Sequence, residues 1–146
     1  MVEPAVEYAG LGFAYGADRW ALRELSTTIP AGQLTALIGH TGSGKSTLME
    51  LTDGLLLPTS GTVTVFGQQI TAATKKKELA PLRKKVGFVF QFPEHQLFAD
   101  SVLADVMFGP QNLGANPTSA KEAATAALTR LGLPAALFDR SPFELS

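Results

Sequence analysis

Gly39–Thr47 reads "GHTGSGKST" and fits the spacing G-x-x-x-x-G-K-[ST]. Gly39, Gly42 and Gly44 permit backbone angles closed to other residues, so an anion can approach the main chain. Successive amide N–H groups then turn inward as an anion nest. Lys45 supplies a mobile cation for outer phosphates, and Ser46 offers a hydroxyl ligand to Mg2+. Thr41, Ser43 and Thr47 join them as expected nucleotide-binding positions. The flanks support this reading. Leu34–Ile38, "LTALI", is a short apolar run bounded by turns, as in a buried parallel strand. From Lys45 to about Asp53 the pattern turns helical, with Gly54 as its stop. Such a helix adds about half a positive charge at its N-terminus. A chance glycine turn would lack that strand and helix. His40 falls at a variable position of the loop and reads as a spectator with its ring outward.

The rest of the chain alternates strands with helices. Residues 2–15 are rich in Val, Tyr and Phe and broken by Gly10 and Gly12, which suggests a strand pair or one bulged strand. Leu22–Ile29 reads as a strand closed by the turn "PAG" at Pro30–Gly32. Thr62–Phe66, "TVTVF", and Val86–Phe90, "VGFVF", read as two further strands, the second short and buried. Between them, residues 74–85 form a basic helix or loop holding half of the twelve Lys and Arg residues, most simply a solvated face. Beyond Pro93 short helices are expected. Ser119 and Glu122 have the spacing of a capping box. The helix behind them would place Ala124, Leu128 and Leu131 on one face and stop at Gly132. The alternation indicates α/β architecture.

Composition narrows the function classes. At 146 residues the chain suits one ordinary domain. Apolar residues are 45% and charged residues 17%, a globular balance. A formal net charge of −1 argues against a dedicated nucleic-acid binder. No cysteine is present, so neither a disulfide framework nor a thiolate metal site is possible. The first basic residue is Arg19, and the apolar runs fall far short of the ~20 residues that span a bilayer. A soluble chain is expected, with any membrane role reached through a partner.

Four further stretches carry a family resemblance. Leu11–Gly16, "LGFAYG", looks like an aromatic loop that stacks on adenine. Leu55–Gly67, "LLLPTSGTVTVFG", looks like the scaffold that follows the phosphate loop. Val86–Phe98, "VGFVFQFPEHQLF", looks like a Q-loop. Asp105–Gly114, "DVMFGPQNLG", is the fourth. With the phosphate loop they resemble the ATP-binding cassette (ABC) ATPases of transporters. "QFPEHQLF" and "DVMFGPQNLG" are similar to the energy-coupling factor (ECF) group, specifically the second of its two ATPase paralogues.

The resemblance implies an α/β fold: a P-loop NTPase core of ABC ATPase type, an N-terminal antiparallel β-subdomain and part of a helical subdomain. The β-subdomain would take about 1–32 and 62–70, the P-loop core 33–61 and 71–95, and the helical subdomain 96–146. It implies ATP and Mg2+ as cofactors, Tyr15 as the ring under adenine, and Ser46 and Gln91 as Mg2+ contacts. Gln91 would also position water. Partners would be a second ATPase subunit in a head-to-tail dimer, a transmembrane scaffold subunit and a substrate-binding membrane subunit. Phe92, Leu97 and Phe98 could face the scaffold or pack the helical subdomain, and the two readings stand level. The place of work would be the cytoplasmic face of the cell membrane, peripherally. The transported substrate would be a vitamin or a metal ion.

The same resemblance exposes what the sequence lacks. A Walker B strand, its catalytic Glu and a switch His are expected in the family. The only lookalike, Ala135–Arg140 "AALFDR", has Arg140 where Glu should stand, opens after Pro134 and is poor strand material. No catalytic residue is therefore assigned. Leu145 and Ser146, closing "RSPFELS", look like the first letters of the signature Leu-Ser-Gly-Gly-Gln, so the chain reads as a piece that breaks off in mid-motif. The expectation is a chain that binds MgATP without turning it over, and whose apolar strand edges leave it marginally stable. Alternatives are an ATPase of another ABC importer, or a non-catalytic nucleotide-binding module.

Overall fold

The computed structural model describes residues 3–145. They form two units, which divide between Phe88 and Val89. Ser146, expected to begin the signature with Leu145, lies outside the described residues.

The first unit is built on a four-stranded antiparallel sheet of order β2-β1-β3-β4. Its strands are β1 (Pro4–Ala14), β2 (Trp20–Pro30), β3 (Ser60–Val65) and β4 (Gln68–Ile70). Strand β1 is one bulged strand, the second of the two expected forms. Val6 and Tyr8 point into the core, and after a register shift Leu11 and Phe13 do so. Strict alternation would have sent Leu11 and Phe13 to the opposite face from Val6 and Tyr8. Gly10, at φ 56°, absorbs the extra residue where a side chain would be strained. Val63, Val65 and Ile70 complete the buried face.

Helix α1 (Lys45–Thr52) lays Leu48 and Leu51 on that face, and Gly54 at φ 72° follows it as expected. The basic segment becomes a 3-10 turn, Lys76–Leu79, running into the short helix α2 (Ala80–Arg83). Its apolar residues Leu79 and Leu82 plug the core, while the lysines stay exposed. The burial of these side chains, at roughly 25 cal/mol per Å2 of apolar surface, is the main force holding the unit.

Two expected strands are absent. Leu34–Ile38 adopts no strand, and its side chains face outward, with Leu34 at 102% and Ile38 at 89% exposure. Val86–Phe90 likewise forms no strand, and Val89 is 82% exposed. The physical reason is shared. A short apolar run becomes a buried parallel strand only when neighbouring strands take its N–H and C=O groups. Among the described residues the only sheet is the antiparallel one, and neither run joins it.

The second unit is helical. Helix α3 (Val102–Asn112) and helix α4 (Pro117–Arg130) pack with the 3-10 turn Ala135–Leu137 around Val102, Leu128 and Phe138. The N-terminus of α3 is fully satisfied. Val102 N–H donates to Arg140 O (2.9 Å), Leu103 N–H to Phe138 O (2.9 Å) and Ala104 N–H to Ser101 Oγ (3.2 Å). The 134–140 segment is therefore a clamp on a helix end, and it starts at Pro134 as a turn.

Helix α4 starts earlier than the Ser119 capping box predicts. Asn116 is the N-cap, its Oδ1 accepting from Ser119 N–H (2.9 Å), and Pro117 takes the first helical position. Proline is preorganised there and needs no acceptor, so Asn-Pro outcompetes Ser119. Ala120, Ala124 and Leu128 are buried, but Leu131 is 85% exposed. It is the C-cap, and the chain leaves the helical path there. Gly132 N–H donates to Thr129 O (2.9 Å) and Leu133 N–H to Leu128 O (3.1 Å), the paired bonds of a Schellman stop.

Candidate nucleotide-binding site

The loop Gly39–Thr47 delivers its backbone to the start of α1. Gly44 is the N-cap in the left-handed region, φ 91°, and no side chain caps the helix. A Cβ on Gly44 would sit 2.8 Å from Ala21 O and 3.0 Å from Leu22 Cδ2. Only bare backbone fits between β2 and the helix start. Among the described residues, no acceptor takes the N–H groups of Lys45, Ser46 or Thr47. This helix end differs from that of α3, where the protein itself supplies every acceptor. Unmet donors at the positive end of a helix suit an anion.

The lysine is folded onto its own loop. Lys45 Nζ donates to Gly39 O (2.9 Å) and His40 O (2.8 Å), with Ser43 Oγ farther off at 3.5 Å. Neutral carbonyls hold the ammonium where phosphate oxygens would hold it more strongly, because charge-assisted bonds exceed neutral ones. Ser46 is exposed, with its hydroxyl open to solvent, and Thr41, Gly42 and Ser43 are exposed along the loop. His40 is exposed as well, its ring bonded through Nδ1 to Thr41 O (2.9 Å). The loop thus has the donors, the cation and the hydroxyl that a Mg2+–triphosphate needs. The residues fit such a group.

Tyr15 lies at the end of β1, 54% exposed. Its hydroxyl is 2.8 Å from Thr47 Oγ1, so the aromatic loop and the phosphate loop are tied by one hydrogen bond. Phe13, buried in the core, meets the Tyr15 ring edge to face at 4.9 Å between centroids. Arg19 places its guanidinium carbon 5.8 Å from the centroid of the same ring. Sequence reasoning singled out Tyr15 and Thr47 separately but neither their bond nor Arg19. Arg19 follows the turn residue Gly16 by three positions, and that spacing was the available signal.

The far end of α1 is anchored by polar contacts. Thr52 Oγ1 donates to Leu48 O (2.7 Å), so the Tyr8 hydroxyl, 2.7 Å away, must donate to Thr52. Burial pushes the Tyr8 phenol above its ordinary value. Asp53, the C-cap, is also buried, and burial raises its carboxyl against the pull of Arg83.

The remaining expected positions lie in the second unit. Gln91 is exposed in a bend before the 3-10 turn Pro93–Gln96. Phe92 is exposed and stacks on His95 at 5.6 Å, and Phe98 is exposed with its ring edge-on to Phe108 at 4.9 Å. Leu97 is half-buried. Leu145 packs against the Val102, Leu128 and Phe138 cluster. Among the described residues, no helix is long and apolar enough to cross a membrane.

Comparison with known proteins follows the same lines. The family described as ABC transporter matches residues 22–146. The chain is 49% identical to the energy-coupling factor transporter ATP-binding protein EcfA2 of Lactobacillus johnsonii, over 97% of this chain and 50% of that protein. It is 54% identical to EcfA2 of Streptococcus thermophilus, over 88% of this chain and 46% of that one. The chain spans about half the length of the curated relatives it matches. Among solved structures, cbiO1 of Clostridium perfringens, part of the ABC transporter complex cbiONQ, aligns with a TM-score of 0.82 at 32% identity, over 99% of this chain and 56% of that one. The ATP-binding cassette MJ0796, bound to ADP and Pi, aligns with a TM-score of 0.81 over 97% of this chain and 63% of that one. At 23% identity it speaks for the fold alone.

Proposed function

The chain belongs to the ABC transporter family, and on that premise we propose that it holds ATP for an energy-coupling factor importer. The observation that carries this reading is the Gly39–Thr47 loop, with N–H donors at the start of α1 that find no acceptor among the described residues and Lys45 bonded to the neutral oxygens of Gly39, His40 and Ser43. The relatives named EcfA2 support the ECF assignment over another importer group.

In this reading the N–H groups of residues 45–47 and Lys45 bind the phosphates. Ser46 ligates Mg2+, and Tyr15 stacks on the base. Gln91 contributes to Mg2+ and water positioning. The bound Mg2+ supplies neutralisation of developing charge on the phosphates. Binding of ATP by two cassettes, head to tail, draws them together. Hydrolysis releases them, and a transmembrane scaffold passes the movement to a substrate-binding membrane subunit that takes up a vitamin or metal ion. The protein works peripherally at the cytoplasmic face of the membrane. Residues 1–146 contain no assigned carboxylate to polarise the attacking water, so this stretch by itself binds nucleotide without turnover.

Calorimetric titration tests the reading. MgATP is expected to bind the chain, and Lys45→Ala to weaken binding about ten-fold or more, the loss of hydrogen bonds to a charged group. Phosphate release above background that Lys45→Ala abolishes would contradict the absence of turnover. MgATP binding that survives Lys45→Ala unchanged would remove the loop from the site.

A further inference from the structure

The ring of Tyr15 is held from three sides. Phe13 fixes it against the core, the Thr47 hydroxyl holds its phenol oxygen at 2.8 Å, and Arg19 covers it. The third contact is not accidental to the chain path. Tyr15 N–H donates to Arg19 O (2.9 Å) and Arg19 N–H to Gly16 O (3.3 Å), folding residues 15–19 into a tight turn. The turn brings the Arg19 backbone beside the ring it covers, while the exposed side chain stays free to adjust.

The separation is informative. Two stacked planes in contact lie about 3.5–4 Å apart, and two plates with a planar base between them need about 7 Å. The Arg19 guanidinium carbon lies 5.8 Å from the Tyr15 centroid, so its height above the ring is at most that and short of what a base between the plates needs. An outward swing of the exposed arginine side chain by at least about 1 Å opens a slot the thickness of a nucleobase. A guanidinium suits the second plate. It is planar, permanently charged, weakly hydrated for a cation, and stacks on π faces. Unstacked bases stack on aromatic rings and also on arginine guanidinium planes.

We propose that Arg19 is a nucleobase-positioning residue, forming with Tyr15 the two plates that sandwich the base. The proposal rests on the reading of Gly39–Thr47 as a nucleotide cradle. It adds to that reading a residue acting on the base alone and not on the phosphates.

The test separates base from phosphate. The 146-residue chain and its Arg19→Ala and Arg19→Lys variants are titrated calorimetrically with MgATP and with magnesium tripolyphosphate, which has no base. Far-UV circular dichroism confirms that each variant folds, as expected for a change in an exposed turn. Arg19→Ala should weaken MgATP about two- to five-fold, the scale of an exposed cation–π contact. Tripolyphosphate affinity should not change. Arg19→Lys should recover less than half of the loss, because an ammonium keeps the charge without the plane. Equal weakening of both ligands would make Arg19 a phosphate-binding charge and overturn the proposal. So would an unchanged or tighter MgATP affinity, or full recovery with lysine. If the unaltered chain binds tripolyphosphate and MgATP equally, the base slot fails while the cradle stands. If it binds neither, the cradle reading fails and this inference with it.

Discussion

Tyr15 and Thr47 are 32 positions apart in sequence, yet their hydroxyls meet at 2.8 Å. One end of that bond is the aromatic ring after β1, and the other is the buried third residue of α1. The ring that would carry a base is thereby held in register with the loop that would carry phosphates. Neither a flexible hairpin nor a helix start alone would fix that distance.

Two substitutions at Tyr15 separate the ring from the hydroxyl. Tyr15→Phe keeps the π face and loses one partly buried hydrogen bond. It should weaken MgATP by about two- to ten-fold, as net hydrogen-bond strengths imply. Tyr15→Ala also loses base stacking, worth about 1–3 kcal/mol, and should weaken MgATP further still. Calorimetry on both variants checks the order. Equal affinities for Tyr15→Ala and the unaltered chain would take the ring out of the site.

The start of α4 gives a test of stability. Asn116 Oδ1 accepts from Ser119 N–H, so Asn116→Ala should cost about 1 kcal/mol of unfolding free energy. Ser119→Ala should cost little, since its hydroxyl caps nothing. Urea unfolding followed by circular dichroism measures both. A larger loss for Ser119→Ala would return the cap to the capping-box position.

These contrasts show where the sequence was legible. Elements whose pattern is local emerged with near-correct bounds: bulged β1, β2, α1, β3 and the Gly132 stop. In each, the alternation of side chains or the turn chemistry carries its own explanation. Leu34–Ile38 and Val86–Phe90 do not form the strands their sequence suggests, because apolar character specifies burial only if other strands stand beside them. The start of α4 is a contest between two caps, decided by Pro117 at the first helical position. The candidate phosphate loop can be picked out from sequence because its residues lie in one continuous stretch. The Tyr15–Thr47 bond cannot, because a hairpin and a helix must first be brought together in space, and the Arg19 contact with Tyr15 cannot, because it depends on how the turn of residues 15–19 closes.

Asp105 shows how a motif residue can serve the fold. Its Oδ1 accepts from both Phe98 N–H (3.1 Å) and Ala99 N–H (3.0 Å), pinning the loop that precedes α3. Asp105→Ala leaves both donors without that acceptor and should cost about 1–3 kcal/mol. Asp105→Asn retains an acceptor oxygen and should cost clearly less. Hydrogen exchange at Phe98 and Ala99 locates the effect: both amides should exchange faster in Asp105→Ala. Unchanged protection there would assign the carboxylate another role.

Asp53 gives a pH-dependent prediction with a definite sign. It is a buried carboxylate at the C-terminal end of α1, where the helix dipole is negative, and burial raises its pKa above 3.8 despite Arg83. A carboxyl with a raised folded pKa binds its proton more tightly in the native state than in the unfolded chain. Its contribution is therefore most favourable at low pH, and stability is lost as pH rises from the unfolded value through the folded pKa. At neutral pH the charged side chain is a liability of up to about 1 kcal/mol, the scale of a misplaced charge at a helix end. Asp53→Asn should then raise the melting temperature at pH 7, and the gain should shrink toward pH 4. Arg83→Ala should destabilise at pH 7, and should cost less in the Asp53→Asn background, where no carboxylate remains for it to pair with. Melting curves across this pH range for the single and double variants measure each term. A gain from Asp53→Asn that is larger at pH 4 than at pH 7 would reverse the sign and show that the ionised carboxylate stabilises the native state.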